Sequence, residues 1–106
     1  MQVANASDGL RDVDRAQICA VLQRCSGLHS AVLYGSRAMG NYKPNSDIDL
    51  AVVGSISERD LAAIAGDLEE LPLPYKFDLI ALDQVKLGAL RQHVAQHGRV
   101  FWTKPH

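Results

Sequence analysis

Apolar residues recur with helical spacing in three segments of the chain, which predict helices over residues 12–25, 57–71 and 84–97. Within each segment they fall three, four or seven positions apart, the stripe by which an amphipathic helix packs on a core. Ser57 can cap the second helix, and Gly98 can end the third. The predicted stripes consist of Ile18, Val21, Leu22 and Cys25, then Leu61, Ile64, Leu68 and Leu71, then Leu87, Leu90 and Val94.

Runs of consecutive apolar residues predict three β-strands, over residues 31–35, 47–54 and 75–82. The run at 47–54 is β-branched towards its end, which is typical of a central strand covered on both faces. Residues 99–102 are either a last short strand or a packing tail. This order predicts an α+β, layered fold with helices packed against a small mixed sheet. We expect the 106 residues to form one domain, 1–106, in which about the first ten residues are loose.

The composition is that of an ordinary globular protein, with 47% hydrophobic and 22% charged residues and a net charge of -1. Because the chain has no overall positive charge, we expect no direct nucleic-acid binding, and any phosphate binding must be local. No apolar run approaches the roughly 18 residues that cross a bilayer. The start of the chain also lacks the basic and apolar regions of a secretion signal, so we expect a cytoplasmic location.

The cysteines and two of the histidines are candidate ligands, but neither pair forms a metal-binding pattern. Cys19 and Cys25 lie on one predicted helix about 9 Å apart along its axis, too far for a disulfide. We interpret both as core residues. His93 and His97 are four positions apart on a predicted helix and could hold a metal ion, but no third ligand is near them in the sequence. We interpret them as part of a solvated helix face.

Two aspartates interrupt the central apolar strand, at the end of the segment GSRAMGNYKPNSDIDL, residues 35–50. Because side chains alternate along a strand, Asp47 and Asp49 point to the same face, opposite Ile48. Neighbouring carboxylates repel each other, which raises the pKa of at least one of them unless a cation lies between them. Carboxylate oxygens suit Mg²⁺ or Mn²⁺, which also bind substrate phosphates. The alternative is a solvated turn at the entrance to the strand.

Residues from two other segments can complete a phosphate-handling site. If strand 75–82 lies beside strand 47–54, Asp78 forms a triad with the two aspartates around one or two metal ions. Gly35 and Ser36 follow the first strand and open a short helix, whose N–H groups and hydroxyl can bind phosphate. The alternative for Ser36 is a simple helix cap. Arg37 is either a phosphate contact or the structural partner of a helix carboxylate.

The spacing of these residues resembles the signature of the DNA polymerase beta-like nucleotidyltransferase superfamily, which is Gly-Ser, ten residues, then Asp-x-Asp. Gly35-Ser36 and Asp47-Ile48-Asp49 match it without a gap. The small size and the segments SDIDLAVV, FDLIAL and HGRVFW resemble the minimal nucleotidyltransferase (MNT) group over nearly the whole chain. The resemblance implies a nucleotidyltransferase fold. One departure is Met39, where many relatives carry a basic residue.

The resemblance also implies roles for the candidate site residues and an enzymatic activity. The implied catalytic and metal-binding residues are Asp47, Asp49 and Asp78, and the implied nucleotide-binding residues are Gly35, Ser36 and Arg37. The implied reaction is a Mg²⁺-dependent transfer of a nucleoside monophosphate, expected to be AMP from ATP, to an acceptor hydroxyl. Two Mg²⁺ ions are expected, with Mn²⁺ as a substitute.

The MNT group is typically encoded beside a HEPN-domain protein, an all-helical ribonuclease toxin. The resemblance therefore implies an antitoxin that modifies a tyrosine of a HEPN partner, within a homo- or hetero-oligomer. Two alternatives stay open. The chain either neutralises its partner by contact, without catalysis, or it modifies a small molecule as aminoglycoside nucleotidyltransferases do. Those enzymes carry an extra helical domain for their acceptor.

Overall fold

The computed structural model describes residues 8–105, which form four α-helices and four β-strands around one sheet. The helices are α1 (Asp12–Gln23), α2 (Ser36–Met39), α3 (Glu58–Glu69) and α4 (Gly88–His97). The strands are β1 (Leu28–Tyr34), β2 (Ile48–Gly54), β3 (Phe77–Ala81) and β4 (Arg99–Thr103). A 3-10 turn, Leu82–Gln84, connects β3 to α4.

The elements predicted from the apolar pattern are present, and their ends differ by a few residues. β1 begins three residues earlier than predicted, because its antiparallel pairing with β2 continues through an irregularity to Leu28. α4 begins at Gly88 instead of Gln84, because the chain first makes the 3-10 turn. The segment after Gly98, for which strand and tail were both open, forms β4.

The sheet has the order β3-β2-β1-β4 and is mixed. β2 and β3 are parallel, whereas β1 is antiparallel to both β2 and β4. This arrangement confirms the predicted α+β fold with a small mixed sheet. It also brings the starts of β2 and β3 to the edge of the sheet where β1 ends, because an antiparallel neighbour runs in the opposite direction.

Both faces of β2 are covered, as its continuous apolar run predicts. Ile48 and Leu50 are fully buried on one face in the main core, together with residues of α1 and α3. On the other face, Ala51 packs in a second cluster with Tyr34 and with Val94 of α4. Each large aliphatic side chain buried in this way contributes about 1.5–3 kcal/mol to stability. β2 is therefore anchored on both faces, and Asp49, one of the candidate aspartates, lies on it.

The start of α3 confirms the predicted cap. The Ser57 hydroxyl accepts a hydrogen bond from the Asp60 N–H at 3.1 Å, and the Asp60 carboxylate accepts one from the Ser57 N–H at 3.0 Å. This reciprocal capping box satisfies two N–H groups that the helix itself leaves without partners. Cys19 and Cys25 are free thiols that pack against the main core, as expected.

The expectation of a loose start falls, for residues 1–7, outside the described residues. Asp8 and Leu10 are described, and both are buried. The Asp8 carboxylate accepts a hydrogen bond from the Leu10 N–H at 2.9 Å and pairs with the Arg15 guanidinium, so this part of the segment is held on α1. None of the helices within residues 8–105 has both the length and the apolar character needed to span a membrane.

Candidate active site

Three carboxylates lie at the sheet edge where β2 and β3 begin. The parallel register pairs Asp49 with Asp78, and Asp47 directly precedes β2. Asp49 is half-buried, whereas Asp47 and Asp78 are exposed. Across the other side of β2, Tyr34 at the end of β1 is the partner of Asp49. The register that the sequence left undetermined therefore brings Asp78 beside the Asp-x-Asp pair.

The carboxylates influence one another electrostatically. Burial, together with the neighbouring charges of Asp78 and then Asp47, raises the pKa of Asp49 to about 6, against a smaller opposing effect of Arg37. Burial and the charges of Asp78 and Asp49 raise the pKa of the Tyr34 hydroxyl to about 12. Negative charge is thus concentrated at this edge of the sheet. A divalent cation would relieve the repulsion.

The described residues contain no group of three His, Cys, Asp or Glu side chains that could hold a metal ion by themselves. Asp47, Asp49 and Asp78 nevertheless supply the oxygen donors that Mg²⁺ prefers. In phosphate-handling sites, Mg²⁺ is usually held by one or two carboxylates, by water and by the substrate phosphates, so three preassembled protein ligands are not required. The donor chemistry and the charge at this edge therefore fit Mg²⁺ bound together with a nucleotide.

The turn after β1 is shaped by a close approach between Gly35 and Asp49. Gly35 has a φ of 75°, in the region that favours glycine, and a Cβ at this position would collide with the Asp49 carboxylate. The sequence-based explanation for Gly35 was close approach to a ligand. In the structure, the close neighbour of Gly35 is Asp49. Ser36 follows, half-buried, as the first residue of the short helix α2.

Arg37 faces the interior, with 1% of its surface exposed. Its guanidinium donates hydrogen bonds to the carbonyl oxygens of Ser46 at 3.1 Å, Asp8 at 2.9 Å and Pro44 at 3.3 Å. It also lies about 5 Å from the ring centres of two tyrosines, at 5.1 and 4.9 Å, a geometry typical of cation–π contacts. These acceptors are backbone carbonyl oxygens and not a helix carboxylate, and the buried guanidinium has little surface open to a phosphate. The hydrogen bonds fix the loop that leads into Asp47.

His93 is a neighbour of the site that the sequence did not indicate. Its Nε2 accepts a hydrogen bond from the Gly35 N–H at 3.2 Å, and its ring meets that of Tyr34 edge-on. The interpretation of His93 as a solvated residue is therefore wrong, although His97 is exposed as expected. One signal was available, since His93 adjoins Val94 in the apolar stripe of α4.

Met39, at the departure from the family pattern, is 50% exposed beside the turn.

Comparison with known proteins assigns the fold to a family. A sequence model of the family described as "Polymerase beta, Nucleotidyltransferase" matches residues 16–106. No curated protein sequence matches the chain at a significant level.

Solved structures give matches over most of the chain. A toxin–antitoxin structure with AMP-PNP contains a chain 27% identical, with a TM-score of 0.70, over 85% of this chain and 73% of that chain. A protein assigned as a minimal nucleotidyltransferase is 28% identical, with a TM-score of 0.66, over 83% of this chain and 92% of that chain. A complex from Shewanella oneidensis, of a tri-AMPylated HEPN toxin with an MNT antitoxin, matches with 22% identity and a TM-score of 0.67, over 90% and 74% of the two chains. At that identity the last match shows the fold alone.

Proposed function

The chain belongs to the polymerase beta nucleotidyltransferase family, and from this membership we propose that it transfers AMP from ATP to a hydroxyl group of a protein partner. The observation that carries the proposal is the register of β2 and β3. It pairs Asp49 with Asp78 at the sheet edge where the Gly35 turn also lies. Asp47, one residue before β2, adds a third carboxylate there.

The residues of the proposed site divide into metal ligands and phosphate contacts. Asp47, Asp49 and Asp78 would hold Mg²⁺, in one or two ions, or Mn²⁺ in its place. When bound, the metal neutralises the triphosphate and the pyrophosphate that leaves. The Gly35-Ser36 turn would bind phosphate oxygens through the Ser36 hydroxyl and the first N–H groups of α2, and Gly35, which has no side chain, would let them approach the backbone.

Asp78 is also suited to a role in proton transfer. It is exposed, so an acceptor hydroxyl can approach its carboxylate, and it takes up the proton of that hydroxyl as the oxygen attacks the α-phosphorus of ATP. The bond between the α-phosphorus and the bridging oxygen breaks, and pyrophosphate leaves with that oxygen. Arg37 acts from behind the site, since its contacts hold the loop before Asp47.

We propose a tyrosine of a HEPN toxin as the acceptor, which makes the chain an antitoxin. Two observations support this choice. The structural matches include a chain from a toxin–antitoxin structure with AMP-PNP, and the resemblance to the MNT group implies a HEPN partner. Asp47 and Asp78 are also exposed, so the site is open to a side chain presented by another folded protein. Modification of this kind requires a complex of the two proteins, and because ATP is the proposed donor, we propose the cytoplasm as its location.

The experiment that tests this proposal is incubation of the chain with ATP, Mg²⁺ and the protein encoded by the neighbouring gene, which we expect to be a HEPN-domain protein, followed by intact mass measurement of both proteins. We expect the HEPN protein to gain one or more AMP units, and EDTA to prevent the gain. Asp49→Asn should abolish it, whereas Asp67→Asn, which removes an exposed carboxylate on α3, should not. An unchanged partner mass with the wild-type chain would contradict the proposal.

The same experiment separates the contact-only alternative. If neither the wild-type chain nor Asp49→Asn transfers AMP, and the variant still neutralises the toxin, the chain acts by binding. The carboxylates then have no catalytic role.

A further inference from the structure

Helix α4 carries a histidine to the turn that follows β1. Val94, 5% exposed, packs this helix on the sheet, and His93 is its immediate neighbour in the chain. We propose that His93 is a positioning residue that holds the Gly35-Ser36 turn in the conformation that binds the triphosphate of ATP. The proposal rests on the nucleotidyltransferase function proposed above, and it gives that function a residue outside the family motif.

The contact between His93 and Gly35 fixes one peptide group of the turn. The Gly35 N–H donates to Nε2 at 3.2 Å, so Nε2 carries the lone pair and the imidazole hydrogen lies on Nδ1. A backbone N–H in a half-buried position needs a partner of this kind. The bond sets the plane of the Tyr34–Gly35 peptide, and hence the direction in which the chain enters the positive-φ conformation of Gly35.

The imidazole is held on both sides, which lets it act as a fixed support. The Tyr34 ring meets it edge-on, with centroids 6.1 Å apart and planes at 79°, and the His97 ring lies 5.2 Å away. The end of α4 is itself pressed against β1, because a Cβ on Gly98 would come within 2.6 Å of a methyl carbon of Val32. The helix can therefore neither slide nor lift without losing these contacts, and a rigid element positions a ligand-binding group more accurately than a loop.

The bond to His93 also determines which donors of the turn are left for phosphate. Since the Gly35 N–H is already engaged, phosphate oxygens would be bound by the Ser36 hydroxyl and by the first N–H groups of α2, which have no acceptor within the helix. Two opposite outcomes follow for a variant that lacks the imidazole. If His93 positions the turn, ATP binds more weakly. If phosphate competes with His93 for the Gly35 N–H, ATP binds more tightly.

The test compares His93→Leu and His93→Gln with the wild-type chain, and uses Gln92→Ala, at an exposed position on the same helix, as the control. The glutamine carbonyl can accept a hydrogen bond at a reach similar to that of Nε2, whereas leucine cannot. In His93→Leu we expect the KM for ATP to rise about fivefold to tenfold, the equivalent of one lost hydrogen bond, with kcat changed by less than about twofold. His93→Gln should recover most of the loss, and Gln92→Ala should match the wild type. An unchanged or lower KM in His93→Leu would overturn the proposal.

A second measurement does not depend on activity. In ¹H–¹⁵N spectra without nucleotide, the Gly35 amide resonance should move upfield in His93→Leu and lie near its wild-type position in His93→Gln. A Gly35 resonance that is the same in all three proteins would show that the hydrogen bond does not hold the turn. If the wild-type chain transfers no AMP but the resonance moves as expected, the proposed function fails while the contact stands, so the two failures are distinguishable.

Discussion

Asp49→Asn should stabilise the metal-free protein at neutral and alkaline pH, although it removes a residue of the proposed site. The folded protein raises the pKa of Asp49 from 3.8 to about 6, which means that folding disfavours the ionised carboxylate. A shift of that size corresponds to about 3 kcal/mol for a group shielded from solvent. Asp49 is only half-buried, and water screens part of the repulsion, so we expect about 1–2 kcal/mol.

The sign of the pH dependence follows from proton binding. Between pH 4 and 6, the folded state binds more protons at Asp49 than the unfolded state does, so this carboxylate makes the free energy of unfolding fall as the pH rises. The penalty is complete above about pH 6 and absent below about pH 4. Asparagine has nearly the same shape and no charge, so the variant should gain stability at pH 8 and lose the gain at pH 4.

The assay is urea denaturation of both proteins from pH 4 to 8, followed by the fluorescence of Trp102, which is buried in β4. Titrating groups remote from Asp49 behave alike in both proteins, so the difference in the free energy of unfolding reports Asp49 together with its interactions with the neighbouring carboxylates. Millimolar Mg²⁺ at pH 8 should narrow this difference, because a bound cation favours the ionised carboxylate of the wild type. A difference that is independent of pH, or a variant less stable than the wild type at pH 8, would refute this reasoning.

Three further substitutions test separate parts of the site. Asp78→Asn should lower AMP transfer by about 100-fold or more, through loss of a metal ligand and proton acceptor, and an intact rate in the kinetic assay would remove Asp78 from the mechanism. Arg37→Lys should lower the free energy of unfolding by about 2–3 kcal/mol, because lysine cannot donate to several buried carbonyl oxygens at once. A loss below about 0.5 kcal/mol in urea denaturation would show that these hydrogen bonds contribute little. Gly35→Ala should destabilise the protein by about 1–3 kcal/mol and abolish AMP transfer, because the added methyl group would collide with the Asp49 carboxylate at a positive φ. Wild-type stability in urea and a wild-type rate of AMP transfer would contradict the close approach of Gly35 to Asp49.

The positions of the helices and strands were predictable because burial imposes a period on the sequence. β2 could be placed from its apolar run, and the same alternation put Asp47 and Asp49 on one face. The start of α4 was predicted too early, because the 3-10 turn at Leu82–Gln84 carries no apolar signature of its own. Local patterns therefore locate elements well and their ends less well.

Contacts between elements were harder to predict, since they depend on register and on backbone atoms. The residues around Asp78 do not specify that it pairs with Asp49. That pairing is set by the register of the parallel strands β2 and β3. Arg37 was linked to charged partners, whereas its acceptors are backbone carbonyl oxygens, which every residue carries. His93 was missed for a related reason, because its partner is the N–H of Gly35. A sequence shows which side chains are available but not which main-chain groups will face them.

The most direct test of the account is to follow the two ends of ATP separately. The wild-type chain, the proposed HEPN partner and Mg²⁺ are incubated either with ATP labelled at the α-phosphate or with ATP labelled at the γ-phosphate. We predict that only the α-label becomes attached to the partner protein, while the γ-label is released in pyrophosphate, and that the attachment is lost in Asp49→Asn. Transfer of the γ-label, or no protein-bound label from either nucleotide, would contradict the claim that these carboxylates form a nucleotidyltransferase site.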